Sequence, residues 1–190
     1  MKRNAVELRD VGLLALRLGF GAVMMAHGAQ KQFGAFGGHG IEGTGAFFDK
    51  VGFRPGRLNA RIAAASELGG GALLAVGLAT PAAGAAAAGT MLVAGSISRE
   101  HGFFAQEGGI EYQLVLALVG GALALTGSGR LSLDHSTRHV VDKPWMRVFA
   151  ATSVVPAAVF VVSRRERALA ATAEDDDAQA SDQPGSASQA

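Results

Sequence analysis

A chain of 190 residues in which 49% are hydrophobic and only 17% charged, with mean hydropathy +0.26, has the balance expected when lipid covers much of the surface. Net charge is +1 and the basic residues fall in short clusters beside apolar runs, not in one stripe, which argues against nucleic acid as a partner. There is no cysteine, so disulfides, thiolate metal sites and iron–sulfur ligation by this chain are excluded and any redox role borrows its electrons from a cofactor or partner.

Residues 1–10 form a basic start with Lys2, Arg3 and Arg9. The apolar run Val11–Ala26 that follows looks superficially like a signal peptide cleaved near Ala29, but Arg17 interrupts it and further apolar segments come after, so an uncleaved first span is the better reading. Four segments, Val11–Ala29, Ala60–Ala79, Ala82–Ser98 and Tyr112–Thr126, approach or cross a hydrocarbon layer of about 30 Å at about 1.5 Å per helical residue. They predict an all-α, polytopic membrane four-helix bundle over residues 11–135. Thr80-Pro81 makes the second and third an antiparallel hairpin, and Gly127-Ser128-Gly129 closes the fourth. Small residues at Gly69-Gly70-Gly71, Gly84, Gly89 and Gly120-Gly121 let backbones pack closely where lipid gives little hydrophobic drive.

Between the first two spans, Gln30 to Asn59 carries five phenylalanines among glycines and charges, and Thr44 is placed to start a short helix ending before Gly52. Its Phe47 and Phe48 either dip into the membrane interface or pack on the bundle. Residues 136–167 hold a further apolar stretch, Val148–Val162, with Pro156 inside it and Trp145 and arginines as interfacial anchors, which favours a fifth span over a re-entrant or surface helix. From Ala168 to the end, composition and the acidic knot Glu174–Asp177 predict a disordered tail. Positive-inside counting gives no clear orientation; the basic start favours a cytoplasmic N-terminus.

Alternating the spans through the bilayer sends His27, Lys31, Glu67, Arg99, His101, Glu111 and Tyr112 towards one membrane face. Glu67 is the informative member, because a lone carboxylate about 10 Å inside a span is expensive unless neutral, paired or hydrated. His27, Lys31 or Arg99 are candidate partners. Two readings follow: a polar pocket in which Glu67, His27 and His101 move protons while Lys31, Arg99, Glu111 and Tyr112 bind a quinone head group or small oxyanion, or an interhelical ion-pair network that only fixes packing. Arg17 lies towards the opposite face, snorkelling or pairing with Asp10 or Asp134. Gly38-His39-Gly40-Ile41-Glu42-Gly43 matches the dinucleotide-binding glycine pattern but lacks the strand–helix context, and the scattered histidines predict no metal site.

Leu16-Arg17-Leu18-Gly19, His27-Gly28-Ala29-Gln30-Lys31, Ser66-Glu67-Leu68-Gly69-Gly70, His101-Gly102-Phe103-Phe104, Gly108-Gly109-Ile110-Glu111-Tyr112 and Leu131-Ser132-Leu133-Asp134 together resemble the DoxX family of small bacterial membrane proteins, over about Val11 to His135. The resemblance implies a four-helix core in the bacterial plasma membrane and an association with sulfur and redox metabolism. It implies roles such as a subunit of a thiosulfate:quinone oxidoreductase, or a membrane partner of soluble enzymes such as superoxide dismutase or sulfurtransferases. Three functions are carried forward: a quinone- or sulfur-oxyanion-binding redox component, a non-catalytic scaffold for such enzymes, and a small-solute transporter. The segment after Asp134 departs from the family pattern.

Overall fold

The computed structural model describes residues 6–181, so Lys2 and Arg3 and the end of the acidic tail lie outside the described residues. Helices are α1 (Leu8–Phe33), α2 (Gly40–Lys50), α3 (Gly56–Val76), α4 (Thr80–Ser98), α5 (Glu111–Thr126), the single turn α6 (Leu133–Ser136) and α7 (Pro144–Ser181), with short 3-10 turns at Ala35–Gly37, Arg99–His101 and Ala105–Glu107. No strand occurs among the described residues. The all-α bundle expected from the sequence is the observed fold.

Local chemistry sets the ends. Glu7 and Asp10 form a reciprocal capping box that starts α1 one turn before the apolar run, and Gly34, at φ 70°, ends it. Gly77, at φ 66°, ends α3 three residues short of the expected Ala79, because the Ala79 and Thr80 amides are taken by the Asp134 carboxylate at 2.9 and 3.1 Å and begin α4 instead. α2 starts at Gly40, a turn earlier than the Thr44 cap predicted.

Glycine brings the helices together in antiparallel pairs. A Cβ placed on Gly21 or Gly71 would collide with the other helix's backbone, and one on Gly28 would lie 2.7 to 3.0 Å from Leu68 and Ala64, so α1 and α3 meet almost backbone to backbone. Gly84 and Gly120 do the same for α4 and α5. Phe20, Met24, Leu74, Met91 and Leu123 fill the space between the two pairs. On their outer side, Ala150 and Val154 of α7 pack against Ala85, Ala88 and Ala124.

α1, α4 with its following turn, and α7 are long and apolar enough to cross a membrane. α5 is apolar but has 16 residues, and α3 has the length but carries Arg57, Arg61 and Glu67. Val148–Val162 is thus part of one long helix that Pro156 does not interrupt. The disorder expected from Ala168 differs from the structure, in which α7 continues to Ser181. Leu169 packs against Gly52, and the Arg54 guanidinium donates to the Thr172 hydroxyl at 2.8 Å, so this stretch has tertiary partners that its composition does not announce.

Candidate functional site

His27 and Lys31, four residues apart on the last turns of α1, share one face, and Gly28 between them lets α3 approach closely. That approach places Glu67 opposite Lys31. The Lys31 ammonium donates to both carboxylate oxygens, at 2.8 and 2.6 Å, and Glu67 is 1% exposed while the Lys31 side chain is 23% exposed. Tyr112, on the first turn of α5, is hydrogen-bonded through its hydroxyl to His27 Nε2 at 2.9 Å, with the rings tilted at 57°. Glu67 lies within electrostatic reach of both His27 and Tyr112. The result is a buried carboxylate ion-paired to Lys31, close to a hydrogen-bonded imidazole–phenol pair whose Tyr112 is 43% exposed.

Of the seven residues expected to converge, these four do. The other three share the same end of the bundle, since the Gln113 and Ser98 side chains hydrogen-bond at 3.2 Å and so set the end of α4 beside the start of α5, but they point elsewhere. Arg99 is exposed and lines a cleft against α7. His101 is exposed and stacks over Gly108. Glu111 accepts from the Ala105 amide at 3.0 Å and so folds its own loop. Of the candidate partners for Glu67, Lys31 is the one that binds it.

A second polar cluster occupies the opposite end. Arg17 is fully buried, its Nη2 donates to the Leu131 carbonyl, and only a glycine at position 77 leaves room for its guanidinium. Asp134, buried and electrostatically coupled to Arg17, spends its oxygens on capping α4. Asp10 instead accepts from the Arg130 amide at 2.9 Å and the Glu7 amide at 3.1 Å. The sequence reading missed Asp142, which is 1% exposed and accepts from Arg147 Nε and Nη2 at 2.6 and 3.0 Å, from His139 at 3.2 Å and from the Ser128 hydroxyl at 3.1 Å. Burial pushes the Asp142 carboxyl up, but the hydrogen bonds from Arg147 and His139, with the Arg147 charge, outweigh it and hold the group below its ordinary value of 3.8. The one signal in the sequence was an acid next to the Arg147 anchor. His135 and His139 lie 3.3 Å apart through their ring nitrogens, yet among the described residues no group of three side chains is arranged to hold a metal.

The DoxX family profile matches residues 12–99. A curated relative from Bacillus subtilis (strain 168), described as "Putative oxidoreductase CatD", is 37% identical over 125 residues, which covers 66% of this chain and 86% of the relative. The chain belongs to the DoxX family. The DoxX match takes in the Lys31–Glu67 pair and ends before Tyr112 and α7. DoxX membership, a relative with an oxidoreductase name and the apolar helices together give a membrane protein with a redox-associated role. No solved structure matches the chain.

Proposed function

We propose that this DoxX protein is a multi-pass component of a plasma-membrane redox assembly that binds a quinone head group at the Tyr112–His27 pair. The observation that carries this reading is the Lys31–Glu67 pair within electrostatic reach of a half-exposed phenol–imidazole pair. Ionisable groups within membrane segments are biased towards function. Among the two ligand classes that the sequence suggests, the geometry favours the quinone over a sulfur oxyanion. Lys31 is already neutralised by Glu67 and Arg99 stands outside the site, so little net positive charge remains for an anion, whereas a neutral carbonyl needs only a donor.

Reduction of a quinone takes two electrons and two protons. The electrons come from a redox partner, the residues here handle the proton that goes to one carbonyl oxygen, and the other oxygen takes its proton from water. The Tyr112 hydroxyl donates to a quinone oxygen as negative charge builds on it, His27 resupplies the phenol, and Glu67 stabilises the imidazolium that forms when His27 takes up a proton. Turnover of quinone in membranes tests this: Glu67→Gln is expected to lower the rate at least about tenfold while the protein remains folded, and an unchanged rate overturns the role.

A second reading, a membrane scaffold for soluble redox enzymes such as superoxide dismutase or a sulfurtransferase, is favoured by α7. Its 38 residues span about 57 Å, against about 30 Å of hydrocarbon, so the charged half from Arg164 onward extends past the apolar layer. Co-purification separates the two: a scaffold keeps its partners in Glu67→Gln and shows no quinone turnover.

A further inference from the structure

α4, α5 and α7 line an open cleft of about 370 Å³ walled by Met91, Leu92, Leu114, Val155 and Val159, a volume in the range of small-molecule sites. It runs into a charged recess of about 250 Å³ bounded by Arg99, Glu100, Arg165 and Glu166, and Ser96, Arg99 and Glu166 belong to both. The recess therefore holds two cations and two anions at the mouth of an apolar slot.

These charges do not satisfy one another. Among the described residues Arg99, Glu100 and Glu166 form no ion pair, and Arg165 donates through Nε and Nη1 to the carbonyls of Val51 and Ser96, at 2.8 and 3.5 Å. Arg165 is anchored by those carbonyls and by the Phe53 ring 5.8 Å away, while Arg99, Glu100 and Glu166 are exposed and, among the described residues, outside any ion pair, so charges of both signs stand open to a ligand that carries both signs itself.

We propose that the slot and recess form a binding site for a zwitterionic phospholipid with a primary ammonium head, one acyl chain lying between α5 and α7. Its phosphate meets Arg99, and the free edge of Arg165, in the geometry that guanidinium groups favour. Its ammonium donates to Glu100 and Glu166. A choline head offers no N–H to these carboxylates, and a glycerol head leaves them facing an anion without a cation. The site shares no residue with the Lys31–Glu67 pocket, so its test is independent of the quinone reading.

Full-length protein in detergent, titrated with phosphatidylethanolamine, phosphatidylcholine or phosphatidylglycerol of matched acyl chains and observed by native mass spectrometry, decides the matter. The expected result is a one-to-one adduct with phosphatidylethanolamine held about tenfold more tightly than with the other two, a difference of about 1.4 kcal/mol. The double variant Arg99→Gln/Glu166→Gln is expected to bind all three alike. Gly95→Leu, where an added Cβ would meet only Gln113 at 3.7 Å and the larger side chain would fill the slot, is expected to lose all three. Equal affinity of the wild-type protein for the three lipids overturns the proposal whatever the variants do. So does a preference that survives in both variants.

Discussion

The Lys31 ammonium and the Glu67 carboxylate form a two-pronged contact, 2.8 and 2.6 Å, where Gly28 lets α1 and α3 approach closely. Attraction in such a site offsets a large desolvation cost only while both partners are present. Lys31→Met leaves an uncompensated buried carboxylate and is expected to cost about 3 kcal/mol. The double variant Lys31→Met/Glu67→Gln removes the stranded charge and is expected to recover most of it. Thermal denaturation in detergent reads both; equal losses would show that the two side chains do not act as a pair.

Close packing of α1 on α3 gives a second expectation. Gly28→Ala places a methyl 2.7 to 3.0 Å from Leu68 and the Ala64 backbone, which must move, and the expected loss is about 1–3 kcal/mol. Gly19→Ala, on the same helix with nothing within 4 Å of the new methyl, is expected to be neutral or to gain up to about 1 kcal/mol from helix propensity. Comparing the two melting curves separates contact from propensity.

At the other end of the bundle, Asp134→Ala uncaps α4 and leaves the buried Arg17 guanidinium without its nearby negative charge. Losing a cap costs about 1 kcal/mol and stranding a buried charge about 3 kcal/mol more. Arg17→Met is expected to restore part of that loss in the Asp134→Ala background. A double-mutant cycle with no coupling would show that Asp134 acts as a cap alone.

Asp142 predicts how stability varies with acidity. Its folded pKa lies below the ordinary 3.8, so its contribution is fully present above that value and is lost as pH falls further, through the folded pKa, and the carboxylate takes up its proton. Melting temperature measured from pH 6 downward is expected to fall in the wild type below about pH 4 and to fall less in Asp142→Asn. The same slope in both proteins would place the acid sensitivity elsewhere.

Much of this was legible in the residue order. Long apolar runs fixed the helices, and a carboxylate deep in one of them called for a cation, which Lys31 supplies. What the order carries poorly is rotation about a helix axis. Alternating spans put Arg99, His101 and Glu111 at the correct end of the bundle, but the Gly84–Gly120 contact turns α4 and α5 so that Arg99 faces α7 while Tyr112 alone reaches His27. Asp142 was hidden for another reason. It enters the core from an irregular connection in which Arg138 and His139 adopt φ of 56° and 55°, a path that no periodic pattern encodes. The helical stretch of α7 beyond Ala168 was hidden by its composition, because Leu169 and Thr172 are held by contacts with the distant Gly52 and Arg54.

Direct titration of the purified protein with a soluble short-tailed quinone, followed by the change in quinone absorbance or by calorimetry, bears on the central claim most closely. The account predicts saturable one-to-one binding that weakens about tenfold in Tyr112→Phe, which removes only the donor hydroxyl, and that is unchanged in Gly95→Leu. Absence of saturable binding to the wild-type protein, or equal affinity in Tyr112→Phe, would contradict it.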